Sequence, residues 1–167
     1  NHGTLDPWPS LDHTGVFART VADAARLAAA ITGGAIPSEV APIAAPRFAA
    51  VRSPVWDLAE RAQRESYARA VDELRAAGAR VDEHELPASF DDAHAATRTL
   101  MAYEACAHFH VLRDERGDVM SAQLKALIDE GAAIPESKYR DALALQHKLK
   151  AEFAAFVSAF DAVVTPP

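Results

Sequence analysis

A short apolar run, Phe48 to Val51, is followed by a helical stretch from about Asp57 to Ala77 and then by a second run that begins at Val81 and ends near Leu86-Pro87. Strand, helix, strand within about forty residues is the spacing of a right-handed crossover joining two parallel strands. The boundaries are set by residues that end regular structure: Pro54 closes the first run and Gly78 caps the helix. Leu58, Ala62, Val71 and Leu74 form the expected inward face of that helix. A third run, Phe160-Asp161-Ala162-Val163-Val164, is short and β-branched and suits a buried interior strand beside those near Val51 and Val81. The fold class this predicts is α/β: part of an open mixed β-sheet wrapped by helices, rich in helix.

The remaining chain reads as loops and helices. Pro7, Pro9, Gly3 and Gly15 place ordered loop over residues 1–19. Thr20 and Asp23 form an acidic version of the capping box, in which the hydroxyl accepts from a free backbone N–H and the carboxylate sits at the positive end of the helix dipole. Val21, Ala24, Ala25, Leu27, Ala28 and Ile31 then fill the face of a short, largely buried helix that ends at Gly33-Gly34. Pro37, Pro42 and Pro46 make Ala35 to Arg47 an extended connector. Ser89 is placed to cap a helix from Phe90 to about Leu112, and further helices are expected over 119–129 and 136–158, divided by Gly131 and Pro135. Much of the hydrophobic content is alanine, the strongest helix former and one of little bulk, which points to closely packed helices.

A net charge of -7 and a pI of about 5.4 argue against a nucleic-acid or anionic-membrane surface as partner. The single Cys106 cannot form an internal disulfide, which fits a reducing compartment, so a cytoplasmic location is expected. Charges interrupt every helical run before the ~20 apolar residues that a membrane span requires.

The segment Ser10-Leu11-Asp12-His13-Thr14-Gly15-Val16-Phe17-Ala18-Arg19-Thr20-Val21-Ala22-Asp23-Ala24-Ala25 resembles a signature of the amidase-signature family, which reads Ser-Leu-Asp, two variable positions, Gly, then Arg-Ser/Thr, a short gap and Asp-Ala. Val16 departs from it where many members carry proline. Downstream, the helix ending Leu74-Arg75-Ala76-Ala77-Gly78-Ala79, the strand closing on Leu86-Pro87, Glu104 in the following helix and the terminal Phe160-to-Pro166 run keep that family's order. The resemblance implies an enzyme that hydrolyses a small-molecule carboxamide to carboxylate and ammonia or amine, without cofactor. Its triad comprises a nucleophilic serine, a second serine beside a cis peptide bond and a buried neutral lysine, with an oxyanion held by a glycine- and serine-rich loop.

In the family that triad lies N-terminal to the signature segment, so residues 1–167 are expected to be the C-terminal portion of the domain, without the catalytic-loop portion. A start on Asn1 and an end on Val163-Val164-Thr165-Pro166-Pro167 read the same way, as an excerpt. No catalytic residue, cofactor or metal is expected in it. Family analogy points to residues 89–140 as the place where substrate specificity is shaped. Two other readings stand beside this one: a non-catalytic helical scaffold or interaction domain, and an amidotransferase subunit needing partner chains. Homo-oligomerisation is left open.

Individual residues carry structural readings. Asp12 is placed to tie down loop N–H groups, and Arg19 to pair with Asp23 or Asp12 while its stem packs on the helix. Cys106 with His110, or Glu104 with His108, lie one helical turn apart as two metal ligands would, but further ligands at recognisable spacing are missing. His84, His94 and His147 stand alone, and Asp82-Glu83 and Asp91-Asp92 point apart as sequence neighbours. Ser10, Ser38, Ser53, Ser66, Ser89, Ser121, Ser137 and Ser158 are scattered, and Lys125, Lys138, Lys148 and Lys150 sit in charge-rich helical surroundings, where a lysine stays protonated. Trp8 and Trp56 read as core or as walls of a pocket.

Overall fold

The computed structural model describes residues 7–37 and 43–166; Gly3, Ser38 and Pro42, assigned above to loops, lie outside them. Two compact units are present, one of Asn1–Leu5 with Asp12–Ala44 and the other of Asp6–Leu11 with Ala45–Pro167.

The first unit carries α1 (Val21–Ile31). Its start follows the expected cap: Thr20 Oγ1 accepts from the Asp23 N–H at 3.1 Å and donates to the Asp23 carboxylate at 2.9 Å. Gly33 and Gly34 adopt φ of 62° and 88°, and the Gly34 N–H returns to the Ala29 carbonyl at 2.8 Å to close the helix. The expected burial is absent, since α1 has no buried residue and Val21, Leu27 and Ile31 are 72%, 47% and 57% exposed. The apolar spacing is there, but among the described residues of its unit no second helix or strand stands beside α1 to bury that face.

In the second unit β1 (Arg47–Arg52), α2 (Arg61–Ala76) and β2 (Arg80–Glu85) make the predicted crossover. β1 and β2 run parallel in a register that pairs Phe48 with Val81 and Val51 with His84. β3 (Ala162–Val164) pairs parallel with β1, so the order is β2-β1-β3 and every ladder among the described residues is parallel. The central strand is the one the apolar run marked: Ala49 and Ala50 are fully buried and Val51 nearly so.

Two expectations about strands and helix faces are corrected. β3 is not interior among the described residues; it touches β1 alone, at the sheet's edge. It is also shorter than expected, because Asp161 is spent starting the ladder, its carboxylate accepting from the Arg47 N–H and its own N–H donating to the Arg47 carbonyl, both at 2.8 Å. α2 begins only at Arg61, after a 3-10 turn over Trp56–Leu58. Leu58 is therefore 76% exposed rather than inward, Ala62 is exposed too, and Val71 is the fully buried residue of the helix. Arg75 ties α2 to β2 through the Val81 carbonyl at 3.2 Å and Glu83 at 3.1 Å.

α3 (Ala93–Arg116), α4 (Ala122–Ala132) and α5 (Glu136–Val157) form the helical layer. Ser89 does not cap α3. It lies in a 3-10 turn over Ala88–Phe90 and its hydroxyl donates to Glu152 of α5 at 2.7 Å, while α3 starts after Asp92. Ser121 caps α4, accepting from the Leu124 N–H at 3.2 Å. Ala102 and Ala105 of α3 and Leu127 and Ile128 of α4 make the buried cluster between these helices, with Trp8, Met101 and Phe109 packed on it. Arg98 of α3 grips Glu130 of α4 through two nitrogens, and Arg113 pairs with Asp129 at 2.7 Å on the same seam. No helix among the described residues is long and apolar enough to cross a membrane.

Candidate functional site

Glu104 is the one charged side chain that is buried among the described residues, at 3% exposure in the middle of α3. A buried carboxylate is tolerated where hydrogen bonds replace the lost water. Here the Ser10 N–H donates to Oε2 at 3.2 Å and the Tyr139 hydroxyl, from α5, donates to Oε1 at 3.0 Å. Tyr139 stacks on Tyr103, ring centroids 4.2 Å apart. One α5 neighbour completes the hold on the same strap, the Gln146 amide donating to the Ser10 carbonyl at 3.0 Å. Trp8 Nε1 donates to the Met101 carbonyl at 2.9 Å. The strap of residues 7–11 is thus fastened to α3 and α5 by backbone and side chain together. The Ser10 hydroxyl is buried there and has no hydrogen-bond partner among the described residues.

Burial and the bond to the Glu104 carboxylate push the Tyr139 phenol up to about 12 from its ordinary value near 10. Because the folded form holds this proton more tightly, the stabilisation is complete below about pH 10 and is lost as pH rises through about 12. Wild type should lose stability over that alkaline window more steeply than Tyr139→Phe, as read by urea midpoints across pH; parallel profiles for the two would contradict it.

Other singled-out residues scatter. His108 and His110 turn their Nδ1 atoms to the backbone carbonyls of Glu104 and Cys106, at 3.1 and 3.0 Å, so each ring is engaged by its own helix. Among the described residues no three His, Cys, Asp or Glu side chains stand close enough to hold a metal ion. His84 is wedged between Phe156 and Phe160, 5.2 Å from each ring, and His94 and His147 are exposed. Asp82 pairs with Arg47 and Glu83 with Arg75 and Arg52, which makes them parts of the sheet's ion pairs. Ser89, Ser121 and Ser158 bond a carboxylate, a backbone N–H and the Ala155 carbonyl. Lys148 lies 3.8 Å from Glu152, and Lys125 is the half-buried lysine of the four, with Lys138, Lys148 and Lys150 exposed.

A polar pocket of about 450 Å³ opens at the C-terminal ends of β1 and β2, lined by Arg52, Ser53, Trp56, Asp57, Glu85 and Asp91 among others. This end of parallel strands is where open α/β sheets hold ligands. Trp56 is therefore a pocket wall, with Arg52 over its face at 5.3 Å and Tyr67 at its edge. Trp8 is core. Ser53 has no lysine beside it in this pocket, so the lining supplies charge and shape but no activated nucleophile.

The family model described as Amidase matches residues 2–167. The chain belongs to the amidase family. A solved structure titled "Crystal structure of amidase" resembles it with a TM-score of 0.82 and 26% identity over 98% of this chain, which spans 38% of that one. No curated protein matches.

In this amidase-family chain the signature segment is split between the two units, with Ser10 and Leu11 in the larger and Asp12 onward in the smaller. Ser10 owes its position to Glu104, which sequence order had singled out, and to Tyr139 and Gln146, which it had not. The available signal was that Tyr139 and Gln146 lie two helical turns apart on one face of α5. Arg19 is corrected: Asp23 pairs instead with Arg26 at 3.1 Å, and Arg19 has no ion pair among the described residues. The i,i+3 spacing within α1 brings Asp23 and Arg26 together, whereas Arg19 precedes the helix.

Proposed function

We propose that residues 1–167 are the C-terminal portion of an amidase that hydrolyses a small-molecule carboxamide to carboxylate and ammonia or amine. The observation that carries this is the amidase-family match over residues 2–167. The likeness that covers 98% of this chain but 38% of the solved amidase leaves room for catalytic parts elsewhere in the polypeptide. The nucleophilic serine, the cis-bonded serine and the lysine belong, on this reading, to a segment N-terminal to the signature. These residues then contribute the crossover, the helical layer and the strap, which give the catalytic portion a rigid surface to close upon.

The coding sequence upstream of Asn1 tests the proposal without any assay. It should encode a glycine- and serine-rich loop preceded by a lysine. An upstream region with neither the two serines nor the lysine would favour the non-catalytic scaffold instead.

A further inference from the structure

Of the ten large apolar side chains that stand exposed among the described residues, six lie in the smaller unit: Phe17, Val21, Leu27, Ile31, Ile36 and Ile43. Three of them share one side of α1. At about 100° per residue, Val21, Leu27 and Ile31 fall within a sector of about 120°, with the small side chains of Ala24 and Ala28 set between them. Asp23 and Arg26 pair with each other on the far side, at 3.1 Å. Such a helix is built to be covered. With 11 residues it falls short of the ~12–15 at which a helix holds its shape unaided in water, and none of its residues is buried.

Size and charge select what covers it. The apolar side of α1 is a strip about 16 Å long and about 10 Å wide, far below the ~800 Å² that each partner buries in a stable complex. A second copy or a separate protein would hold to it too weakly. A segment tethered through the same backbone needs no such area, because its effective concentration reaches the millimolar range. A lipid surface is disfavoured: the helix carries one arginine and one aspartate rather than a row of basic residues, in a chain of net charge -7. This chain spans 38% of the solved amidase it resembles, which leaves ample polypeptide to supply the segment. We propose that the apolar side of α1 is a docking surface for the part of the same polypeptide N-terminal to residue 1, which on the amidase reading carries the two serines and the lysine. The inference rests on residues 1–167 being one portion of a longer chain, and not on the reaction that chain performs.

Amide hydrogen exchange of the 1–167 chain beside the full-length polypeptide tests it, with amide turnover measured on the same full-length sample. The α1 amides should exchange on the order of a hundredfold more slowly in the full-length protein. Leu27→Lys should speed their exchange there and lower Tm by several degrees, yet leave the 1–167 chain unchanged, because Leu27 already stands in water. Ala30→Lys, exposed on the other side of the same end of α1, controls for the added charge and should alter neither protein. Equal α1 exchange in the two chains, or a full-length protein indifferent to Leu27→Lys, would overturn the proposal. So would protection in the 1–167 chain that rises with its concentration, the mark of a second copy. Slow α1 exchange in a full-length protein that turns over no amide would sustain the docking and sink the amidase reading instead.

Discussion

Gly131→Ala is expected to destabilise the protein by about 3 kcal/mol, lowering Tm by roughly 6–12 °C for a chain of this length. The direction is opposite to the usual one, because glycine to alanine inside a helix normally gains up to about 1 kcal/mol. Gly131 sits in the last turn of α4, buried where that helix crosses α3. A Cβ there would run into the Ala102 carbonyl oxygen and come within 2.8 Å of the Cys106 Cβ. The first obstacle is a peptide group of α3, so no side-chain rotation relieves it and the helices must separate. Separation loosens Ala102, Ala105, Leu127 and Ile128 at once. Urea denaturation of Gly131→Ala beside Ala132→Gly, an exposed neighbour where only propensity acts, isolates the steric part. A neutral or stabilising Gly131→Ala would mean that α3 and α4 do not meet at this distance.

Glu104→Ala should cost a similar amount, about 3 kcal/mol, for an electrostatic and hydrogen-bonding reason. Removing the carboxylate, which is itself buried, leaves the Ser10 N–H and the Tyr139 hydroxyl without their acceptor. Glu104→Gln keeps the volume and one acceptor oxygen, so it should lose only about 1 kcal/mol. The coupling to Tyr139 is measurable as a double-mutant cycle: Glu104→Ala and Tyr139→Phe together should cost less than the sum of the two alone, since each removes the same bond. Additive effects, or a Glu104→Ala loss within about 0.5 kcal/mol, would show that the strap is held by Trp8 and Gln146 instead.

What the sequence carried was whatever its neighbours decide. The crossover was legible because Pro54 and Gly78 punctuate two apolar runs at a spacing that few topologies accommodate. The Thr20 cap was legible because its partner, Asp23, is three residues away. Burial of α1 was not, because an apolar face records a preference and not the presence of a neighbour. Ser89 has the composition of a cap, yet a carboxylate 63 residues on, Glu152, is the acceptor it takes. Glu104 was marked by family order and by its one-turn spacing from His108; its role rests on groups 94 and 35 positions away, which no local pattern encodes. The terminal strand was recognisable as a strand, but its length depended on Asp161 being claimed by Arg47.

The central claim is that this chain is part of an amidase and leaves the chemistry to residues outside it. Amide turnover and labelling by a serine-reactive fluorophosphonate, measured on the full-length polypeptide beside the 1–167 chain against simple aliphatic and aryl amides, test it most directly. The full-length protein should hydrolyse amides and take the label on one serine. The 1–167 chain should do neither, because none of its serine hydroxyls with a described hydrogen bond meets a lysine. Turnover by the 1–167 chain with labelling at Ser10 or any other of its serines, or a full-length protein that is inert and unlabelled, would contradict the account.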